Sequence, residues 1–325
     1  MLLTFVSGAQ AQVQEVIDSR DWLMRMDHSV EYLNYEGTLV HIRDGRADTF
    51  RIYHRVDGDL ITERLVALEG SGTEIIRNQD EVMCIFPDRQ AVVVGQRHSK
   101  DKGQSPLRGN LPSYTETVAM YYDASLGPVE RVAGRAAQVV DILPMDNFRY
   151  GYRLWLDQET AMPLKSQLRS EEDDATVEEI LFADINFVET VAEVNLITGL
   201  DTTAFSWVHA GESSSALAEP DEETQWRATE LPAGFSLAAT HLEQMSDEEM
   251  PRIHLVYMDG LASVSVFVDA GVAASEQAEG WSQVGVANAY SASREGRLVT
   301  AVGQVPIRTV QSIALSVRSH PDPVH

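Results

Sequence analysis

Short segments of alternating apolar and polar residues follow one another from residue 38 to residue 187, and turn residues separate them. In residues 49–56, Phe50, Ile52 and Val56 fall on one face of a strand, while charged side chains fall on the other. Successive side chains of a strand point to opposite faces, so this pattern predicts antiparallel strands with one covered face. The predicted strands of this region are residues 38–42, 49–56, 82–86, 91–94, 132–142, 150–156, 164–170 and 176–187. The sequence therefore predicts a long antiparallel meander with few helices.

Apolar residues recur at helical spacing near both ends of the chain. The first such set, in residues 18–34, is Trp22, Leu23, Met26, Val30 and Leu33. The second set follows Pro306, a residue suited to a first helical turn, and consists of Ile307, Val310, Ala314 and Val317. A short helix is also predicted around residues 114–123. We expect the first helix to lie against the concave face of the curved sheet.

The chain divides near residues 209–224, which are rich in Gly, Ser, Glu and Pro and almost free of apolar residues. Strands are predicted beyond this linker at residues 234–240, 253–257, 263–268, 285–291 and 297–302, before the last helix. The fold class predicted is α+β, with a large domain over residues 12–208 and a smaller α+β domain over residues 225–320.

Residues 1–11 have features of a remnant signal peptide. A short apolar run ends before Ala9-Gln10-Ala11, the small-x-small form of a cleavage site, which would make Gln12 the first mature residue. The basic n-region is missing, so the alternative is a frayed cytosolic terminus. Export predicts a soluble periplasmic protein.

Charge excludes several classes of function. The chain has 25 basic and 50 acidic residues, a net charge of −25 and a pI near 4.6. Phosphate backbones require clustered Lys and Arg, so nucleic-acid binding is excluded as the main function. One interpretation of this acidity is an adaptation to a salty medium. The alternative is a general need for solubility, or a genomic base composition that favours arginine over lysine. Cys84, the single cysteine, excludes an internal disulfide and a cysteine-rich metal site.

No catalytic or cofactor motif is recognisable in the sequence, so we predict neither an enzyme nor a bound cofactor or metal. The first hairpin is predicted to bring His41 and His54 face to face, but no third ligand has metal-site spacing. His54 falls on the apolar strand face and is interpreted as a core histidine. Cys84 is interpreted as a small buried hydrophobe.

Two segments are candidate binding regions. The loop at residues 95–113 is basic in an acidic chain, and is interpreted either as a site for lipid headgroups or other anions or as a solvated loop. Its candidate residues are Arg97, Lys100, Lys102 and Arg108. The aromatic run at residues 149–157 places Arg149, Arg153 and Trp155 on one strand face. That face is either the rim of a partner-binding groove or ordinary packing.

Several uncommon strings, in order along the mature chain, resemble the RseB/MucB family. They include residues 34–40 (NYEGTLV), 84–87 (CIFP), 149–157 (RYGYRLWLD), 259–267 (DGLASVSVF) and 302–306 (VGQVP). Tyr257 and Asp259 belong to the matching part of the second domain. With Arg149, Arg153 and Trp155 they form the candidate partner-binding set.

The resemblance implies a periplasmic negative regulator of an envelope-stress sigma factor (sigma-E/AlgU). Such proteins bind the periplasmic domain of an RseA/MucA-like anti-sigma factor and shield it from a site-1 protease. Lipopolysaccharide or another acyl lipid releases the regulator, and exopolysaccharide (alginate) synthesis is one output. The implied fold is an unclosed β half-barrel with packed helices, similar to the Lol lipoprotein carriers, and the implied assembly is a homo-oligomer. An acyl-chain or lipoprotein carrier and an uncharacterised envelope enzyme remain alternatives.

Overall fold

The computed structural model describes residues 18–96, 107, 111–112, 115–209, 225–243, 252–269 and 279–320. Its two α-helices are α1 (Ser19–Tyr32) and α2 (Ile307–Ser316). The strands of the first part are β1 (Tyr35–Arg43), β2 (Arg46–Asp57), β3 (Leu60–Ala67), β4 (Glu74–Arg77), β5 (Glu81–Phe86), β6 (Ala91–Gln96), β7 (Tyr122–Val132), β8 (Arg135–Pro144), β9 (Gly151–Asp157), β10 (Pro163–Arg169), β11 (Thr176–Phe187) and β12 (Ser206–His209). Those of the second part are β13 (Gln225–Ala228), β14 (Ser236–Glu243), β15 (Arg252–Met258), β16 (Ser263–Asp269), β17 (Gly280–Val284), β18 (Ala287–Arg294), β19 (Arg297–Gly303) and β20 (Val317–His320).

The first part is one sheet in the order β12-β6-β5-β4-β3-β2-β1-β11-β10-β9-β8-β7. Neighbouring strands are antiparallel except β12, which runs parallel to β6. Strands β12 and β7 lie at the two edges and do not pair with each other, so the sheet is unclosed. The predicted unclosed antiparallel sheet is therefore confirmed.

Helix α1 covers one face of this sheet. The Asp18 side chain caps the helix by accepting a hydrogen bond from the Asp21 amide at 2.9 Å. Four residues of the predicted apolar stripe are buried and the fifth, Leu33, is partly buried. The stripe packs in one core with side chains from β1, β2, β8, β9 and β11. Each large side chain buried in this way contributes about 1.5–3 kcal/mol, so the helix is an integral part of the core.

The second part is a smaller sheet in the order β14-β15-β16-β19-β18-β17, beside a two-stranded ribbon of β13 and β20. Helix α2 begins after Pro306, as predicted, and its Val310, Ile313 and Ala314 are fully buried in one core with valines of β16 and β19. The predicted smaller α+β domain at the C-terminal end is confirmed.

The predicted helix around residues 114–123 is wrong. Val118–Met120 form a single 3-10 turn, and strand β7 begins at Tyr122. Its pairing with β8 changes register between Leu126 and Val129, so the apolar alternation is interrupted and the strand escapes detection.

The predicted approach of His41 and His54 is also wrong. In the pairing of β1 with β2, His41 lies opposite Asp48 and His54 lies opposite Tyr35. The His41 Nε2 atom instead lies 2.5 Å from Glu178 Oε1.

His54 is a core histidine, as predicted. It is fully buried, its Nδ1 donates a hydrogen bond to the Leu33 carbonyl at 2.8 Å, and its ring stacks on Tyr35. Its Nε2 lies 3.6 Å from the buried Glu63 carboxyl. Cys84 is half-buried, and burial raises the pKa of its thiol.

We expect His54 to make the protein acid-sensitive. Burial lowers the pKa of this imidazole from 6.5 to about 4. Between those values the unfolded chain binds a proton that the folded chain does not, so stability is lost as the pH falls from 6.5 towards 4. The loss amounts to about 3 kcal/mol. Urea unfolding at pH 7.5, 6, 5 and 4.5 measures it.

His54→Gln retains a hydrogen-bond donor near Leu33 but does not titrate. This variant should be less stable at neutral pH and should lose less stability on acidification than the wild type. Identical pH profiles for the two proteins would show that His54 is not the group responsible.

Candidate functional site at the domain junction

A buried ion pair joins the two domains. Its members are Arg149, which lies just before β9, and Asp259, which lies in the turn between β15 and β16. Both side chains are fully buried, and Arg149 Nη1 lies 2.9 Å from Asp259 Oδ2. Desolvating two charges is expensive, so such a pair is stable only when the remaining donors and acceptors are also satisfied. We call this contact and its immediate surroundings the domain junction.

The Arg149 guanidinium has partners on all sides. Its Nε and Nη2 donate to the two carboxylate oxygens of Asp146 at 3.1 and 3.0 Å, and Nη2 also donates to the Ala233 carbonyl. Three rings surround the cation with centroids 5.1–5.4 Å away, those of Tyr121, Tyr122 and Phe235. The charge is therefore paired within its own loop, across the junction and with aromatic faces.

Asp259 is held equally firmly. Its Oδ1 accepts the backbone amides of Leu261 and Ala262 at 2.9 and 2.7 Å, which closes the β15–β16 turn. Its Oδ2 accepts the Tyr122 hydroxyl at 2.9 Å as well as Arg149. Burial, and then the Asp259 charge, raise the pKa of Tyr122 well above its ordinary range. Tyr122 therefore stays a donor at every physiological pH.

Two glycines of the second domain leave space for a segment of the first domain. Gly234 and Gly260 have φ values of +88° and +105°, which favour glycine. A Cβ on Gly234 would lie 2.5 Å from the Tyr121 ring, and one on Gly260 would lie 2.8 Å from a Val118 methyl. The segment at residues 118–122 therefore fits between two turns of the second domain that have no side chain at the contact.

Further contacts extend the junction along residues 148–178 of the first domain. Asn288 donates to the Tyr150 hydroxyl at 3.1 Å, and Thr309 donates to the Phe148 carbonyl at 2.5 Å. Two more side-chain hydrogen bonds cross the junction, from Arg308 to Glu172 at 2.5 Å and from Gln304 to Glu178 at 3.2 Å.

An open groove lies beside these contacts. One cavity of about 540 Å³ is lined by Tyr150, Ser170, Glu172, Asp173, Trp281, Asn288, Pro306 and Ile307. An adjoining cavity of about 380 Å³ shares four of these residues and adds Asp146, Asn147, Arg149, Glu171 and Arg308. We call the two together the junction groove. Because both domains line it, the groove depends on how the domains are docked.

The candidate partner-binding residues occupy different places. Arg149 and Asp259 meet in the junction, as described. Tyr257 is buried inside the second domain, where its hydroxyl accepts the Ala228 amide at 2.7 Å. Arg153 pairs with Asp141 at 2.7 Å within the first sheet. Trp155 is buried there too, and its indole donates to Glu130 at 2.8 Å. Partner binding by these residues stays a prediction.

The four basic loop candidates, Arg97, Lys100, Lys102 and Arg108, lie outside the described residues. Sequence reasoning did not single out Tyr122, Gly234 or Trp281. The Pro232-Ala233-Gly234 string is a turn signal from which Gly234 could have been found, and the adjacent Tyr121 and Tyr122 are the only comparable sign of the segment that meets it.

Within the described ranges no group of three or more His, Cys, Asp or Glu side chains is arranged to hold a metal ion. No helix in the same ranges has the length and hydropathy needed to cross a membrane.

An unclosed sheet docked through a buried junction onto a smaller sheet, with a groove between them, defines a two-domain binding protein. The family model for the MucB/RseB N-terminal domain matches residues 18–200, and that for the MucB/RseB C-terminal domain matches residues 220–318. The chain belongs to the MucB/RseB family.

Curated relatives carry regulatory names. The sigma factor AlgU regulatory protein MucB of Pseudomonas aeruginosa is 32% identical over 98% of this chain and 96% of its own length. The sigma-E factor regulatory protein RseB of Escherichia coli K12 is 25% identical over 91% of this chain and 89% of its own length. Both names describe regulatory proteins of a sigma factor.

A solved structure has the same fold. It is MucB in complex with the periplasmic part of MucA, which is 29% identical to this chain and has a TM-score of 0.72. The match covers 94% of this chain and 100% of the MucB chain. MucB alone has a TM-score of 0.58 at the same identity and 93% coverage of this chain.

Proposed function

We propose that this protein is exported to the periplasm, binds the periplasmic domain of a membrane anti-sigma factor and protects that domain from site-1 proteolysis. The observation that carries the proposal is the junction groove, a surface formed jointly by both family domains. The solved complex of MucB with periplasmic MucA supports the choice of partner.

Protection has a simple physical basis. A protease needs an extended, accessible segment of its substrate. A segment that lies in a groove between two docked domains, or that adds a strand to an exposed sheet edge, is neither free nor accessible. The anti-sigma factor therefore stays intact for as long as the regulator is bound, and the sigma factor stays sequestered.

We infer that helix α1 relays a lipid signal. It occupies the face of the sheet on which an acyl chain would bind, and each CH₂ buried there contributes about 0.8 kcal/mol. The helix is also tied to the junction: Ser19 donates to the Ala124 carbonyl at 2.8 Å, and Val118 and Tyr122 pack in the same core as α1. An acyl chain that displaces α1 therefore disturbs the segment that docks the second domain. Lipid and partner binding become antagonistic, and by linkage each weakens the other equally.

A binding assay tests the proposal. The mature protein, from residue 12, is incubated with the purified periplasmic domain of the anti-sigma factor from the same genome, and so is a chain ending at residue 208. We expect binding that needs both domains, and protection of the partner when the site-1 protease is added. Absence of binding by the full mature chain would overturn the regulator proposal and favour a lipid carrier.

Lipid release is tested on the preformed complex. Titration with lipopolysaccharide should displace the partner, and delipidated core oligosaccharide at the same concentration should not, because it lacks the acyl chains. A complex that survives saturating lipopolysaccharide would contradict the antagonism.

A further inference from the structure

Trp281 is an exposed aromatic side chain on the wall of the junction groove. It lies on β17, the last strand in the order of the smaller sheet, and 57% of its surface is exposed. Its indole faces Asn288, which is itself fixed by donating to the Tyr150 hydroxyl and the Val305 carbonyl. The ring thus stands beside a contact that crosses the junction, at the mouth of the groove.

The groove also has an apolar wall and an open strand edge. Pro306 and Ile307, at the start of α2, line the same cavity as Trp281, and Ile307 is exposed. On the side of β17 away from β18, no strand pairs with it among the described residues. Backbone groups on such an edge are available to an added strand.

The opposite wall is negatively charged. It consists of the turn between β10 and β11, where Glu171, Glu172 and Asp173 are all exposed. Arg308 pairs with Glu172, but within the described residues no Lys or Arg nitrogen lies within 4 Å of Glu171 or Asp173. Exposed carboxylates are common in so acidic a chain. These are candidates for binding because they lie across the junction groove from the exposed Trp281.

We propose that the junction groove binds an extended segment of the anti-sigma factor that carries an arginine or lysine close to an aromatic or aliphatic residue. The cation lies against Glu171 and Asp173, the apolar side chain packs on Trp281, and the segment's backbone pairs with β17. This inference rests on the proposed function and adds to it the surface and the chemistry of recognition. Aromatic anchors in grooves carry much of the binding energy at interfaces, so Trp281 is expected to dominate.

Trp207 provides a matched control. It is also a half-exposed tryptophan on an edge strand, β12, with 47% of its surface exposed, but it does not line the junction groove. Affinity for the purified periplasmic domain of the anti-sigma factor is measured with the full mature chain. Trp281→Ala should weaken binding about 30-fold, and Trp207→Ala by no more than about twofold.

Charge is tested with isosteric changes. The double variant Glu171→Gln, Asp173→Asn should bind several-fold more weakly at low salt and should lose much of the salt dependence of the wild type, since fewer ionic contacts remain to be screened. Glu69→Gln, an exposed carboxylate on the loop between β3 and β4, should leave both quantities unchanged.

Fluorescence locates the contact directly. Three of the five tryptophans, Trp22, Trp155 and Trp226, are buried. In the Trp207→Phe variant, Trp281 is therefore the only exposed tryptophan and reports on the groove. In the Trp281→Phe variant, Trp207 is the only exposed tryptophan. The partner should shift the emission to the blue in the first protein and leave it unchanged in the second.

The outcomes separate the two proposals. If the wild type does not bind the partner, the proposed function fails and this inference fails with it. If the wild type binds but Trp281→Ala binds equally well, or Trp207→Ala is weakened as much, the regulator proposal survives and the groove is not the binding surface.

Discussion

Asp259→Asn uncouples the two domains and lowers the free energy of unfolding by about 3 kcal/mol. Removing one member of a buried ion pair costs about 3–5 kcal/mol because the other charge stays buried without compensation. The lower end applies here, since Asp146 still accepts two hydrogen bonds from Arg149. The variant also loses a charged acceptor for the Tyr122 hydroxyl. Urea unfolding monitored by tryptophan fluorescence should change from one transition to two.

The Arg153–Asp141 pair is a control of the same chemistry in a different setting. Its N–O distance is 2.7 Å, but the arginine side chain is one-third exposed. Water and salt screen such a pair, so Asp141→Asn should cost no more than about 1 kcal/mol and leave a single transition. If Asp259→Asn behaves like Asp141→Asn, the junction does not couple the domains.

Local patterns predicted much of this fold. Strand β16, predicted at residues 263–268, is observed at Ser263–Asp269, because its buried and less buried residues alternate without interruption. Helix α1 follows from a clear apolar stripe and a capping aspartate. Strand β7 was missed because a change of register breaks its alternation. Local sequence therefore predicts an element well when the side-chain period is continuous and poorly when tertiary pairing tolerates an irregularity.

The candidate site was only partly predictable. Arg149 and Asp259 were both named from the sequence, but they lie 110 residues apart along the chain and nothing local indicates that they meet. Trp281 was missed because it stands in a polar segment without a clear period. Its importance comes from residues of the other domain that line the same cavity. Such a site arises from domain docking, which propensity and spacing do not determine.

Two solved structures of one relative differ in how closely they match this chain. MucB has a TM-score of 0.72 to this chain in its complex with periplasmic MucA and 0.58 alone, at the same identity of 29% and nearly equal coverage. The sequence difference is the same in both comparisons, so the two MucB structures differ in shape. The structure described above resembles the complexed one more closely. Because both domains line the junction groove, we expect a substitution that alters their docking to alter partner binding.

Gly234→Ala tests this connection between docking and binding. The residue has a φ of +88°, so a side chain costs about 1 kcal/mol in backbone strain. The new Cβ would also lie 2.5 Å from the Tyr121 ring, and a rigid ring yields only if the junction shifts, which adds about 1–3 kcal/mol. We expect a total loss of about 2–4 kcal/mol in unfolding free energy, together with weaker binding of the anti-sigma factor domain.

Gly296→Ala separates strain from docking. Gly296 has a similar φ of +79°, but a Cβ there meets nothing within 4 Å, so this variant should lose about 1 kcal/mol and bind the partner normally. Tyr121→Ala combined with Gly234→Ala removes the clashing ring and should recover part of the lost stability, at the expense of one aromatic contact to Arg149. Equal losses in the two glycine variants would mean that backbone strain alone is responsible. A Gly234→Ala protein that is destabilised but binds with full affinity would separate partner recognition from the docking of the two domains.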